Sequence, residues 1–89
     1  VVTCGSGGCW SVSATDPEMP RHHPAFTVMA VDTTGCGDVF HGAYAARLAR
    51  GDALEERIRV ASAAAALKAS GGEIPHLEEV EKFLCAKAQ

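Results

Sequence analysis

The run Phe26-Thr27-Val28-Met29-Ala30-Val31 leads without a break into Asp32-Thr33-Thr34-Gly35-Cys36-Gly37-Asp38 and then Val39-Phe40-His41-Gly42-Ala43-Tyr44, and this stretch decides how the chain reads. Its first part is almost continuously apolar and bounded by Pro24 and Asp32, the pattern of a buried strand. Its last part carries Val39, Phe40, Ala43, Tyr44 and Leu48 at helical spacing, with Gly51 as the C-terminal stop. The order is strand, glycine loop, helix start.

Gly35-Cys36-Gly37-Asp38 therefore falls at a helix N-terminus. The first N–H groups of a helix lack an internal partner, and the helix dipole places about half a positive charge there. Glycines let the backbone approach a ligand closely, so the loop suits a phosphate or the charge on a phosphoryl group in transfer. Asp38, in the same first turn, can accept a proton from an attacking hydroxyl. It can equally serve as an ordinary helix cap, and spacing does not separate the two roles. The loop is not a Walker A sequence, because GxxxxGK[ST] is absent.

Upstream, Val1–Cys4 and Cys9–Ser13 are short β-prone runs joined by Gly5-Ser6-Gly7-Gly8, the pattern of a hairpin. Thr15-Asp16-Pro17-Glu18 reads as a turn, and Pro20 and Pro24 make the segment around His22 and His23 a solvated connection. Downstream, Asp52-Ala53-Leu54-Glu55 resembles a capping box that opens a helix running to about Ser70 and ending at Gly71-Gly72. Its stretch Ala61-Ser62-Ala63-Ala64-Ala65-Ala66 has little side-chain bulk, so a neighbouring backbone can come close. Pro75-His76 leads into an amphipathic helix with Leu77, Val80, Phe83 and Leu84 on one face.

At 89 residues, the chain is expected to hold one domain with a modest core. It opens on an apolar run, and its chemistry sits on one glycine-rich segment, so it is expected to be a piece of a longer protein. A net charge of −3, without a Lys/Arg stripe, lacks the footprint of a nucleic-acid binder. Apolar runs fall far short of the ~20 residues needed to cross a bilayer, which favours a protein without a membrane partner. Cys4, Cys9, Cys36 and Cys85 form no CxxC pair, and reduced thiols in a cytoplasmic setting are expected. Cys4, Cys9, His22 and His23 match no zinc-finger spacing and read as core and loop positions.

The whole string Val31–Gly42 resembles the second signature of PfkB carbohydrate kinases, a DTxGAGD-type motif followed by an aromatic and a small residue. Thr3-Cys4-Gly5-Ser6-Gly7-Gly8 looks like that family's TxGxxG nucleotide turn. The Ala-rich helix, Gly71-Gly72, Ile74-Pro75 and the final acidic helix follow the family's order. The resemblance implies an α/β fold class: residues 1–89 as the C-terminal, nucleotide-binding and catalytic portion of a ribokinase-like three-layer α/β/α fold, with the N-terminal sugar-binding half absent.

The resemblance also implies roles. Asp38 is the base that deprotonates the acceptor hydroxyl, which it thereby contacts, and the amides of Gly35, Cys36 and Gly37 form the anion hole. Thr3, Gly5, Ser6, Gly7 and Gly8 line the ATP phosphates and ribose, with Gly37 at the phosphate end and Ser62 near the adenine, where a small packing residue explains Ser62 equally well. Asp32 and the Thr34 carbonyl correspond to ligands of a monovalent cation, often K+, although the segment after Ala69 is shorter than in the ribokinase branch. Cys36 replaces the usual Ala as a small side chain. The implied activity is ATP-dependent phosphorylation of a hydroxyl on a sugar or sugar-like compound, with Mg2+ carried by the nucleotide and the isolated segment inactive. A nucleoside or vitamin-alcohol acceptor, or a non-catalytic nucleotide-binding segment, are the alternatives.

Overall fold

The computed structural model describes residues 1–71 and 73–88. Val2–Thr3 (β1), Cys9–Ser13 (β2) and Asp16–His23 (β3) form an antiparallel sheet in that order. The β1–β2 hairpin is the expected one, with Val2 opposite Trp10 and Thr3 opposite Cys9. A 3-10 turn at Gly5–Gly7 closes it, flanked by Gly8 at φ 82°, ψ −139°, a conformation close to the region that only glycine enters without strain.

β3 departs from the sequence expectation. The reversal is confined to Ala14-Thr15, so Asp16 already pairs with Ser13 and the supposed turn and His22-His23 connection are one strand. Pro17 and Pro20 are accommodated because β3 is an edge strand, where a missing N–H faces no partner, and because the register shifts between Ser11 and Ser13. Along β2 the pleat alternates, with Cys9 and Ser11 buried and Trp10 and Val12 exposed. Ser11 Oγ shares a 2.8 Å hydrogen bond with His23 Nε2, which closes the buried side of the pair.

The second departure is the run Phe26–Val31, which was expected to be a buried strand. It forms no strand, and Met29 and Val31 are 88% and 74% exposed. Among the described residues no other strand supplies it with ladder partners, and an apolar run cannot be a two-sided buried strand without them. It is pinned at its end instead: the amides of Val31 and Asp32 both donate to the Ala69 carbonyl, at 2.7 and 3.0 Å.

Three helices follow, Cys36–Ala49 (α1), Leu54–Gly71 (α2) and Leu77–Ala88 (α3). α1 stops at Arg50 and Gly51, the latter at φ 90°, as the sequence indicates. The Asp52 capping box is not formed. Its carboxylate lies 3.3 Å from Arg47 and 3.8 Å from Arg50, because charged guanidinium groups outcompete a neutral amide for it. α3 carries half of such a box, with the His76 amide donating to Glu79 Oε1 at 3.1 Å.

The Ala-rich stretch does what its small side chains allow. Ala61 and Ala63 are fully buried, and α1 and α2 pack closely through them. One apolar cluster joins Val60, Ala63 and Ala64 to Val80 and Leu84 of α3, with Phe26 set edge-on to Phe83 at 5.1 Å. A second joins Phe40, Ile58 and Ala61 to Cys9 of the sheet. Thus α2 is the central beam, with α1 and the sheet docked on one part of it and α3 on another. α2 ends at Gly71 as expected, while Gly72 lies outside the described residues.

Candidate functional site

The loop before α1 is built by local hydrogen bonds. The Thr34 amide donates to Asp32 Oδ1 at 2.9 Å, and this bond holds the Asp32 carboxyl below its ordinary value of 3.8, with a smaller contribution from the nearby Lys68 charge. Gly35, the N-cap of α1, takes φ 77° in the left-handed region, so glycine is needed there for backbone reasons alone. The Cys36 amide donates to the Thr33 carbonyl at 3.2 Å, and the Val39 amide begins the helix ladder on the Gly35 carbonyl at 3.0 Å. The amides of Gly35, Gly37 and Asp38 have no backbone acceptor among the described residues and form the positive end of the helix. In this conformation the Cys36 amide is engaged, so the donors available to an anion are centred on Gly35, Gly37 and Asp38.

Facing this helix start is a cavity of about 550 Å³, within the range that holds a nucleotide-sized ligand. Thr3, Gly5, Ser6 and Gly8 of the hairpin turn form one wall, and Cys36, Gly37 and Phe40 of α1 a second. Ser62, with Ala65, Ala66 and Ala69 one and two turns on, supplies a third from α2. Residues far apart in sequence and singled out for nucleotide contact thus meet at one cavity. Gly7, Asp32, Thr34 and Gly35, also expected at the site, are not among the residues that line the cavity. Phe40 and the three alanines were not anticipated as lining residues, because their apolar spacing reads as core.

Asp38 is exposed in the first turn of α1 and lies at a second cavity, of about 420 Å³, between α1, α2 and Ile74–Leu77. Gly37 thus lines the larger cavity and its neighbour Asp38 the smaller one, so the two cavities meet at the start of α1. Apart from Asp38 and Arg47 this second cavity is lined by apolar and small residues such as Val39, Val60 and Val80, a poor match for a polyhydroxylated ligand. His41 Nδ1 donates to the Gly37 carbonyl at 2.7 Å, one turn back on the same helix.

The remaining candidates separate. The Cys36 thiol is half-buried, 4.0 Å from the Asp32 carbonyl. Cys9 is buried and burial pushes its thiol up, which suits a packing role. Among the described residues no three His, Cys, Asp or Glu side chains converge as a metal set; His23 is bonded to Ser11, and His22 Nε2 donates to the Gly7 carbonyl at 2.7 Å. No helix among the described residues is long and apolar enough to cross a membrane.

Comparison with known proteins gives a consistent result. The sequence matches the pfkB family carbohydrate kinase family over residues 1–74. It is 40% identical to a ribokinase of Lactococcus lactis, an alignment that covers 94% of this chain and 28% of that protein. The fold superposes on the crystal structure of a Thermotoga maritima ribokinase with a TM-score of 0.85 at 41% identity, over 94% of this chain and 29% of that one. An Arabidopsis thaliana ribokinase complexed with ribose and ATP gives a TM-score of 0.82 at 33% identity, over 93% of this chain and 28% of that one. The chain therefore spans under a third of the length of each of these proteins, and the architecture it shares with them is a part of the ribokinase fold.

Proposed function

The chain belongs to the pfkB family of carbohydrate kinases, and from that premise we propose that it is the nucleotide-side, phosphoryl-transfer portion of an ATP-dependent kinase acting on a hydroxyl of a sugar or sugar-like compound. The observation that carries this reading is the convergence of the Thr3–Gly8 turn, the Cys36–Gly37 helix start and Ser62 on one cavity, with Asp38 just past the helix amides.

In this reading ATP occupies the larger cavity with its phosphates toward the start of α1. The amides of Gly35, Gly37 and Asp38, aligned with the α1 dipole, stabilise charge on the γ-phosphoryl group. Asp38 takes the proton of the acceptor hydroxyl, whose oxygen attacks the γ-phosphorus in line as ADP leaves. The carboxylate is exposed, which suits this role. Magnesium would ride on the nucleotide phosphates, drawing charge off them, because the described residues offer no convergent acidic set to hold it alone. Asp32 and Thr34, tied in one turn, are the residues that would hold a monovalent cation. The acceptor pocket would be completed outside this segment, consistent with the apolar lining beside Asp38.

The test is Asp38→Asn in the intact enzyme. Turnover should fall by at least about a hundredfold, the scale of general base catalysis, with ATP affinity changed by less than about threefold. Near-normal sugar phosphorylation by this variant would rule Asp38 out as the base.

A further inference from the structure

His22 and His23 take no part in the proposed transfer, yet both hold the turn that lines the nucleotide cavity. His22 Nε2 donates to the Gly7 carbonyl at 2.7 Å across fifteen residues of sequence, while its ring leans on Trp10 with 4.9 Å between centroids. On the other side, Gly8 lies so close to the His23 carbonyl that a Cβ there would sit 2.0 Å from it. His23 is in turn tied to Ser11, which is 2% exposed. The turn's own bonds are local: Gly7 to the Cys4 carbonyl at 3.0 Å, Gly8 to Gly5 at 3.1 Å and Cys4 to Gly8 at 2.7 Å. Three glycines in four residues give such a turn much conformational freedom to lose when a ligand orders it.

We propose that His22 is a positioning residue for the nucleotide: its Nε2–H, aimed by the tilted contact of its ring with Trp10, fixes the Gly5–Gly8 turn in its binding conformation before ATP arrives. This rests on the kinase reading above. A carbonyl can only accept, so the nitrogen facing Gly7 carries the proton, and ordering the turn in advance lowers the entropy lost on binding. The effect should fall on ATP and not on the acceptor, because His22 is bonded to the turn and to neither Asp38 nor the α1 helix start.

The experiment compares wild type, His22→Phe and His22→Gln in the intact enzyme, by ATP titration calorimetry and steady-state kinetics. Phenylalanine keeps a ring against Trp10 without a donor, and glutamine restores an N–H near the Nε2 position. His22→Phe should raise the Kd and KM for ATP about three- to tenfold, the range of one neutral hydrogen bond, with kcat and the acceptor KM within about twofold. His22→Gln should recover most of that loss. If His22→Phe does not fold, His22→Asn, too short to reach Gly7, is compared with His22→Gln in its place. An unchanged ATP Kd, equal effects of the donor and non-donor variants, or equal losses toward ATP and acceptor overturn the role of His22 alone. A wild-type enzyme that binds no ATP overturns the kinase reading and this inference with it.

Discussion

Replacing Gly8 with alanine probes the hairpin turn most sharply. Gly8 sits at φ 82°, ψ −139°, where a residue bearing a Cβ costs about 1–3 kcal/mol. The new Cβ would also meet the His23 carbonyl oxygen at 2.0 Å and the Ala25 amide nitrogen at 2.9 Å. Both are backbone atoms, and His23 is paired with Cys9, so neither can yield without opening the end of the β2–β3 ladder. Overpacking of this kind adds about 1–3 kcal/mol, and a combined loss near 4 kcal/mol is a large fraction of the ~5–15 kcal/mol that holds a domain together. Gly5→Ala is the internal control: Gly5 is also left-handed, at φ 57°, but nothing lies within 4 Å of its Cβ. It should cost about 1–2 kcal/mol, the backbone part alone. Urea unfolding of the two variants and wild type, followed by circular dichroism, measures the difference. Equal destabilisation to within about 0.5 kcal/mol would refute the argument, since the clash with the His23 and Ala25 backbone should add about 1–3 kcal/mol to Gly8→Ala and nothing to Gly5→Ala.

Two further outcomes follow from the core and the loop. Leu84→Ala, which empties a 6%-exposed site where α3 meets α2, should cost about 2–4 kcal/mol; a loss below about 1 kcal/mol in thermal unfolding would show that α3 is not docked as described. Asp32 should titrate below 3.8 in a carboxyl NMR experiment. Because its charged form is the one held in the fold, the stability it contributes is complete above that value and disappears as pH falls through the lowered one. Asp32→Asn should remove that acid-limb dependence, and an unchanged acid limb would show that the Thr34 bond does not hold the carboxylate.

The sequence alone carried the local features of this protein. The glycines of Gly5–Gly8 and Gly35–Gly37 declared their turns because backbone conformations at positive φ are a property of the residue itself. The placement of Asp38 in the first turn of α1 and the stop at Gly51 followed from helix periodicity and end signals, which act over one or two turns. The resemblance of Asp32–Asp38 to a kinase signature pointed to the chemistry, and the family match bears out that membership.

What depended on pairing was decided elsewhere. β3 was hidden because Pro17, Pro20 and adjacent histidines argue against a strand unless it is known to lie at an edge, and an edge is a property of the sheet. Phe26–Val31 has the composition of a buried strand but no ladder, because hydrogen-bond partners must come from another part of a chain. Asp52 read as a helix cap until Arg47 and Arg50 were brought beside it. The glycine turn at Thr3–Gly8 and the helix start at Gly35–Asp38 were thus fixed by short-range backbone sterics. Their meeting with Ser62 around one cavity arose only from packing the sheet and α1 onto the alanine face of α2, and the grip of His22 on Gly7 only from pairing β3 with β2, since no local rule relates groups that far apart in sequence.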